Sequence, residues 1–125
     1  MNKQLIELQK GCNATCVLLK GEEYKQLLTG VVIKANISDK FLLKQTSIFM
    51  EKVIKQSQKQ SITYLIITNI DEVSFETQER FIGIVKDREI EGYLIPENCV
   101  IIFTVKDENN YAKVSPKLYQ FCVRA

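Results

Sequence analysis

The sequence of 125 residues contains no histidine, only two prolines and five glycines, and no apolar run long enough to cross a membrane. Without histidine, neither histidine-based catalysis nor a histidine metal site is possible. A membrane helix needs about 20 apolar residues, and the N-terminal segment does not read as a signal peptide with a small-residue cleavage site. The scattered glycines and prolines form no linker, repeat or low-complexity tract. We therefore expect a single cytoplasmic domain, residues 1–125, without membrane contact.

The chain also lacks a strong excess of charge of either sign, since 17 basic and 15 acidic residues give a net charge of +2. Residues 1–60 carry ten lysines against five acids, and residues 61–125 carry seven basic against ten acidic residues. Many of the lysines lie on a helix predicted over residues 40–59. This basic face is interpreted as a solvated helix surface; the alternative is a surface that binds nucleic acid phosphates or an acidic partner. No aromatic stacking pattern accompanies the lysines, which weighs against nucleic acid.

The four cysteines do not have the spacing of a metal site. Cys12 and Cys16 form one candidate half-site, whereas Cys99 and Cys122 lie far apart in apolar runs. Structural zinc sites usually show two closely spaced pairs. We expect free thiols in a reducing compartment, and no metal.

Apolar runs and helical periodicity alternate along the whole chain. Strands are predicted over residues 14–19, 31–35, 62–68, 99–104 and 121–124, and helices over residues 2–10, 22–29, 40–59, 75–87 and 115–120. The strands are nearly continuous apolar runs, which favours burial on both faces of a parallel sheet. The pattern is typical of an α/β fold with three layers, a mainly parallel five-stranded sheet between helices. Ligands of such folds bind at the carboxyl ends of the strands, so residues 21–26, 68–72 and 104–108 are the candidates.

Residues 64–90 read as an apolar strand, a short turn and a helix with Gln78 near its start. This segment resembles the Walker B strand and following helix of AAA+ ATPases. Residues 94–104 resemble the strand that carries the family's sensor-1 motif, and residues 114–122 resemble the segment where the family usually has an arginine finger. Residues 12–60 fit only as generic topology. The resemblance implies a P-loop-type AAA+ core.

The P-loop that an AAA+ core needs is largely absent from the sequence. Such a loop has two glycines, a lysine that reaches the phosphates and a hydroxyl that holds Mg²⁺. After the first predicted strand, only Gly21 and Lys25 match that pattern. Glu22 and Glu23 stand where polyphosphate oxygens would lie, and like-charge repulsion there opposes ATP.

The Walker B position also departs from the family. An alignment anchored on Gln78 places Thr68 and Asn69 at the family's Asp-Glu pair. A neutral pair is poorly suited to holding the metal's water shell or polarising the attacking water. Shifting the register by three residues brings in Asp71 and Glu72 instead, but misaligns the helix that follows.

Two further positions of the family pattern differ. Lys106 occupies the sensor-1 position, where the family often has asparagine, and Phe121 aligns with the arginine finger. With the chain ending at Ala125, we also expect no helical lid. Residues 88–98 look most like MoxR or enhancer-binding members of the family, whereas residues 114–122 look like clamp-loader subunits.

The resemblance and these substitutions together imply a catalytically degenerate AAA+-like domain that acts as a protein interaction or assembly module. Its partner would be another protein or a second copy of the chain, with no cofactor and no catalytic residues. The alternative is an atypical ATP-binding AAA+ ATPase domain of a transcription activator, chaperone or replication factor. In that case Gly21, Lys25 and Lys106 would contact the nucleotide. Asp71 and Glu72 would then serve Mg²⁺ and the attacking water.

Overall fold

The computed structural model describes residues 16–26, 30–36, 39–90 and 92–124. Its strands are β1 (Cys16–Lys20), β2 (Val31–Lys34), β3 (Thr63–Thr68), β4 (Glu89–Ile90), β5 (Tyr93–Leu94), β6 (Cys99–Val105) and β7 (Cys122–Arg124). Its α-helices are α1 (Asp39–Lys59), α2 (Phe75–Glu79), α3 (Ile82–Asp87) and α4 (Pro116–Tyr119), and its 3-10 helices are Glu23–Gln26, Ile70–Glu72 and Glu108–Lys113. None of the helices in these ranges is both long and apolar enough to span a bilayer.

Five strands form one sheet in the order β2-β3-β6-β1-β7, and every neighbouring pair is parallel. The short strands β4 and β5 pair antiparallel with each other outside this sheet. Every residue of β3 and of β6 is buried. Strands in the middle of a parallel sheet are covered on both faces, which explains why these two segments are apolar without alternation. The α/β class and the parallel sheet predicted from the sequence are confirmed.

Three of the described α-helices contribute buried side chains to one face of the sheet. On this face α1, α3 and α4 contribute Val53, Val85 and Leu118 to a core that includes Leu65 and Phe103 from the central strands. The opposite face carries a second apolar cluster: Val17, Leu19, Tyr64, Ile66, Val100 and Ile102, with Tyr24 and Ile62 packed against it. The helix predicted over residues 2–10, which would belong to a third layer, lies outside the described residues.

Two helix predictions need correction. The helix expected over residues 22–29 is instead a turn followed by the 3-10 helix Glu23–Gln26, as far as this segment is described. The helix expected over residues 75–87 begins as predicted, because the Ser74 hydroxyl accepts a hydrogen bond from the Thr77 amide at 3.2 Å. It is then divided after Glu79 into α2 and α3, so the buried Phe81 lies at the junction.

The β4-β5 hairpin was not predicted, since two-residue strands are too short to show alternation. Arg88 precedes it in a left-handed conformation (φ 52°, ψ 48°). Its guanidinium donates to the carbonyls of Pro96 at 2.8 Å and Cys99 at 2.6 Å. These bonds attach the hairpin to the start of β6.

Candidate functional site

The strand order places a topological switch point between β1 and β6. From β1 the chain crosses to β2 at one edge of the sheet, and from β6 it crosses over β1 to β7 at the other edge. The connections therefore leave two neighbouring strands in opposite directions. In open α/β sheets, ligands bind in the crevice outside the carboxyl ends of such a strand pair. The candidate site is thus formed by the loops that follow β1, β6 and the adjacent β3.

The loop after β1 closes directly onto the end of β6. Gly21 adopts a left-handed conformation with φ of 61°, and its amide donates to the Val105 carbonyl at 2.7 Å. The chain then forms a tight turn in which the Lys25 amide donates to the Glu22 carbonyl at 3.0 Å. In its described part, the loop leads directly into the short 3-10 helix Glu23–Gln26.

Two lysines at this loop are paired with carboxylates, Lys25 within the loop and Lys20, at the end of β1, with the loop after β6. The Lys25 ammonium lies 2.9 Å from the Glu22 carboxylate, and the hydrogen bond raises the pKa of Lys25. The Lys20 ammonium lies 2.8 Å from the Glu108 carboxylate, which raises the pKa of Lys20. Both pairs are exposed, so they contribute little to stability. Their effect on the site is to neutralise the positive charge that an anion would need.

Asp71 connects the loop after β3 to the loop after β6. Its Oδ2 accepts hydrogen bonds from the Asn110 side-chain amide at 2.5 Å and from the Lys106 backbone amide at 3.4 Å. Its Oδ1 is buried and has no hydrogen-bond partner in the described chain. Glu72 is exposed. Asp71 therefore joins two loops through its hydrogen bonds, whereas Glu72 lies on the surface.

Thr68 and Asn69 occupy the end of β3. The Thr68 hydroxyl donates to the Ile33 carbonyl at 3.5 Å. Asn69 is left-handed (φ 59°, ψ 45°), and its amide donates to the Thr104 hydroxyl at 3.0 Å. A shallow cleft of about 100 Å³ beside them is lined by Lys34, Asn36, Thr68, Asn69 and Glu72. The cleft is polar and mainly surrounded by exposed side chains.

Lys106 and Phe121, which the sequence aligns with the sensor-1 and arginine-finger positions, also take part in backbone hydrogen bonds. Lys106 is exposed directly after β6, where its amide contacts Asp71. Phe121 is half-buried, and its carbonyl accepts hydrogen bonds from the Cys16 amide at 3.1 Å and the Cys16 thiol at 3.4 Å. Phe121 therefore attaches β7 to β1 instead of presenting a charge to a neighbouring subunit.

The structure brings Gly21, Asp71 and Lys106 to the same edge of the sheet, as the carboxyl-end rule predicts. It turns Lys25 toward Glu22. Thr104 and Glu108 lie in the candidate range 104–108, although no role was predicted for them, and Asn110 lies outside it. The side chains of these three residues complete the contacts between the loops. Only their position in the sequence could have pointed to these residues, because Thr104 lies near the end of β6 and the other two follow that strand. In the described ranges, three or more potential metal ligands do not come together; Cys12 lies outside these ranges.

No protein-family model and no curated protein matches the sequence. The chemical properties of the site are therefore inferred from the residues of its loops alone. These loops are joined by hydrogen bonds, and the ammonium groups of Lys20 and Lys25 are paired with carboxylates.

Proposed function

We propose that the chain is a catalytically degenerate AAA+-like domain that serves as an interaction or assembly module and does not hydrolyse ATP. Numbered along the chain, the strands of the main sheet lie in the order 2-3-4-1-5. The loop after the first strand thereby faces the switch point, which supports a P-loop-type core. The observation that carries the proposal is the tight turn after Gly21, which leads directly into the 3-10 helix Glu23–Gln26 in the described part of the loop.

A phosphate-binding loop works by presenting free backbone amides, and a helix N-terminus behind them, to the phosphate oxygens. Here residues 21–30 connect β1 to β2, and the described part of this connection contains a turn and the 3-10 helix Glu23–Gln26. The Gly21 amide already donates to a strand, and a single short turn provides no extended helix dipole. In the described part of this connection, the amides of Gly21 and Lys25 are thus already bonded to backbone carbonyls, which weighs against a phosphate cradle.

Electrostatics in the loop also oppose a polyphosphate. The exposed carboxylate of Glu22 is paired with Lys25, the only lysine in the described part of this connection. Glu23 adds a second negative charge one residue later. To bind a phosphate, Lys25 would have to leave Glu22, whose carboxylate would then repel the ligand.

The alternative, an atypical ATPase, needs Asp71 and Glu72 to hold Mg²⁺ and water. Asp71 uses one oxygen to join Asn110 and the Lys106 amide, and its other oxygen is buried. A metal site there would require the two loops to separate. These contacts favour a role for Asp71 in joining the two loops over a role in binding Mg²⁺.

An interaction module needs a surface for its partner, and the described chain exposes several large apolar side chains. Their exposed fractions run from 47% to 69%, and they are Val32, Ile48, Phe75 and Leu94. Apolar side chains that remain accessible are common contact points in protein interfaces. We propose a protein partner or a second copy of the chain at one of these surfaces.

Isothermal titration calorimetry and thermal unfolding of the whole chain with ATP and Mg²⁺ test the proposal. At millimolar ATP we expect no binding heat in the titration and no shift in Tm. Glu22→Gln is a matched variant, because it removes the nearest repulsive charge; we expect it to remain unable to bind, since the loop stays closed. Micromolar binding by the wild-type chain would overturn the proposal. Single-turnover hydrolysis that is lost in Asp71→Ala and Glu72→Ala would establish the ATPase instead.

A further inference from the structure

Cys16 and Cys122 are register partners on neighbouring parallel strands, Cys16 in β1 and Cys122 in β7. Neighbouring strands lie about 4.8 Å apart, and residues in register place their side chains on the same face of the sheet. A disulfide requires Cα atoms about 4.4–6.8 Å apart. The backbone of this pair therefore meets the distance requirement without a change in strand pairing.

The two thiols lie against the same short segment of chain. The Cys16 thiol donates to the Phe121 carbonyl at 3.4 Å, and the Cys122 thiol donates to the Leu118 carbonyl at 3.5 Å. Burial raises the pKa of the Cys16 thiol, and the neighbouring Cys122 thiol raises it further. The register pairing of the two residues places both thiols on the same face of the sheet.

The two cysteines differ in their access to solvent. Cys16 is fully buried, whereas Cys122 is half-buried at the edge of the same core. A small oxidant would reach Cys122 first, since reactivity of a thiol increases with its exposure. Cys16 would then be the second thiol, already held beside it by the β1-β7 pairing.

We propose that Cys16 and Cys122 form a redox-sensitive site in which a peroxide converts the two thiols into a disulfide that joins β1 to β7. Nothing in this inference depends on the proposed function, because it requires only the pairing of these two strands. The cross-link would attach an edge strand of three residues covalently to the interior of the sheet.

The chemistry proceeds in two balanced steps with hydrogen peroxide as oxidant. The Cys122 sulfur attacks one peroxide oxygen, the O–O bond breaks, and the thiol proton leaves with the other oxygen as water. The Cys16 sulfur then attacks the resulting sulfenic acid, the S–O bond breaks, and a second water leaves with the Cys16 proton. Two thiols lose two electrons, and one peroxide becomes two waters.

The disulfide should change the stability of the fold. It would close the chain between residues 16 and 122 into a loop, which reduces the conformational entropy of the unfolded state. The three-residue strand β7 would also be unable to separate from β1. We expect a higher Tm for the oxidised chain, reversed by dithiothreitol.

Peptide mapping of the whole chain tests the site directly. The variant Cys12→Ser is oxidised with hydrogen peroxide under native conditions, alkylated, and digested with trypsin. We expect one linked species that joins the peptide of residues 11–20 to the peptide of residues 118–124. Replacing Cys122 with serine should abolish the linked species and the rise in Tm. Cys99→Ala is the matched control, because it removes a buried cysteine that has threonine, not cysteine, as its register partner, and it should leave both unchanged.

Three results would overturn the proposal. The first is oxidation of Cys122 to sulfinic acid while Cys16 remains a free thiol. The second is a linked peptide that contains Cys99. The third is a cross-link that forms in urea but not in the folded chain. Because the map of the Cys12→Ser chain itself decides between these outcomes, the test stands even if the Cys122→Ser variant fails to fold.

Discussion

The amide of Gly21 donates to the carbonyl of Val105 at 2.7 Å, and this bond closes the first loop onto the end of the central strand β6. The bond depends on a left-handed glycine, whose φ is 61°. A residue with a side chain adopts this conformation only at a cost. The turn that follows β1 therefore depends on the left-handed backbone of Gly21.

Replacement of Gly21 by alanine should destabilise the fold by about 1–2 kcal/mol, because the left-handed backbone disfavours a Cβ. The added Cβ itself would lie 3.8 Å from the Lys106 carbonyl oxygen, so no clash contributes. Gly83→Ala is the matched control. Its Cβ would meet no atom within 4 Å, and alanine in a helix should stabilise by up to about 1 kcal/mol. Urea denaturation of both variants measures the difference, and equal effects would contradict the role given to Gly21.

Replacement of Asp71 by alanine should lower the free energy of unfolding by about 1–2 kcal/mol, since it leaves Asn110 and the Lys106 amide without their acceptor. Glu72→Ala removes the adjacent, exposed carboxylate and should change stability by less than about 0.5 kcal/mol. Thermal unfolding of the two variants checks this contrast. A stable Asp71→Ala chain would mean that the carboxylate does not hold the two loops together.

Gln78 is fully buried and joins α2 to the segment before α4. Its side-chain amide donates to the carbonyls of Val73 at 3.1 Å and Lys113 at 2.8 Å, and its oxygen accepts from the Ser115 amide at 2.6 Å. Gln78→Ala should therefore cost about 2–4 kcal/mol, because three backbone groups lose their partner. Gln78→Glu should cost at least as much, since a carboxylate oxygen would face the two carbonyls. Urea denaturation measures both effects.

The exposed Glu76, on the same short helix, provides the control for this position. Glu76→Ala should change the unfolding free energy by less than about 0.5 kcal/mol. Similar midpoints for Gln78→Ala and Glu76→Ala would show that the buried bridge does not stabilise the packing of these segments.

The sequence predicted the sheet well because its central strands are buried on both faces. The uninterrupted apolar runs that became β3 and β6 have no other stable place in a small α/β domain, and α1 followed from its own periodicity. Prediction from the sequence failed where the structure depends on the backbone conformation of a single residue. The segment after Gly21 has helix-forming residues, yet its short connection and the bond to Val105 produce a turn and a 3-10 helix.

The contacts of the candidate site were less predictable than its location. The rule that the site of a parallel sheet lies at the carboxyl ends of its strands correctly predicted that Asp71 and Lys106 lie close together. It did not reveal that Asn110, five residues beyond the end of β6, would donate a hydrogen bond to the Asp71 carboxylate, because such a contact depends on the path of the 3-10 helix Glu108–Lys113. Side-chain partners across loops are set by tertiary packing, which no local pattern records.

The hydroxyl of Tyr64 is buried and has no hydrogen-bond partner in the described chain. Tyr64→Phe keeps the ring and removes the unsatisfied oxygen, so we expect the free energy of unfolding at neutral pH to stay the same or rise by about 1 kcal/mol. Tyr64→Ala should instead cost about 3–5 kcal/mol, because it leaves a cavity in the second apolar cluster. A loss of more than about 1 kcal/mol in Tyr64→Phe would mean that the hydroxyl has a partner.

The same tyrosine should make the stability depend on pH in the alkaline range. Burial raises the pKa of Tyr64 from 10.0 to about 12, so the folded state holds a proton that the unfolded state releases. The stability tied to this group is therefore complete below about pH 10 and is lost as the pH rises toward about 12, at about 1.4 kcal/mol per pH unit. Urea denaturation of wild type and Tyr64→Phe across this range isolates the contribution, because all other groups titrate in both chains. Parallel profiles of the two chains would show that the Tyr64 hydroxyl is accessible to water.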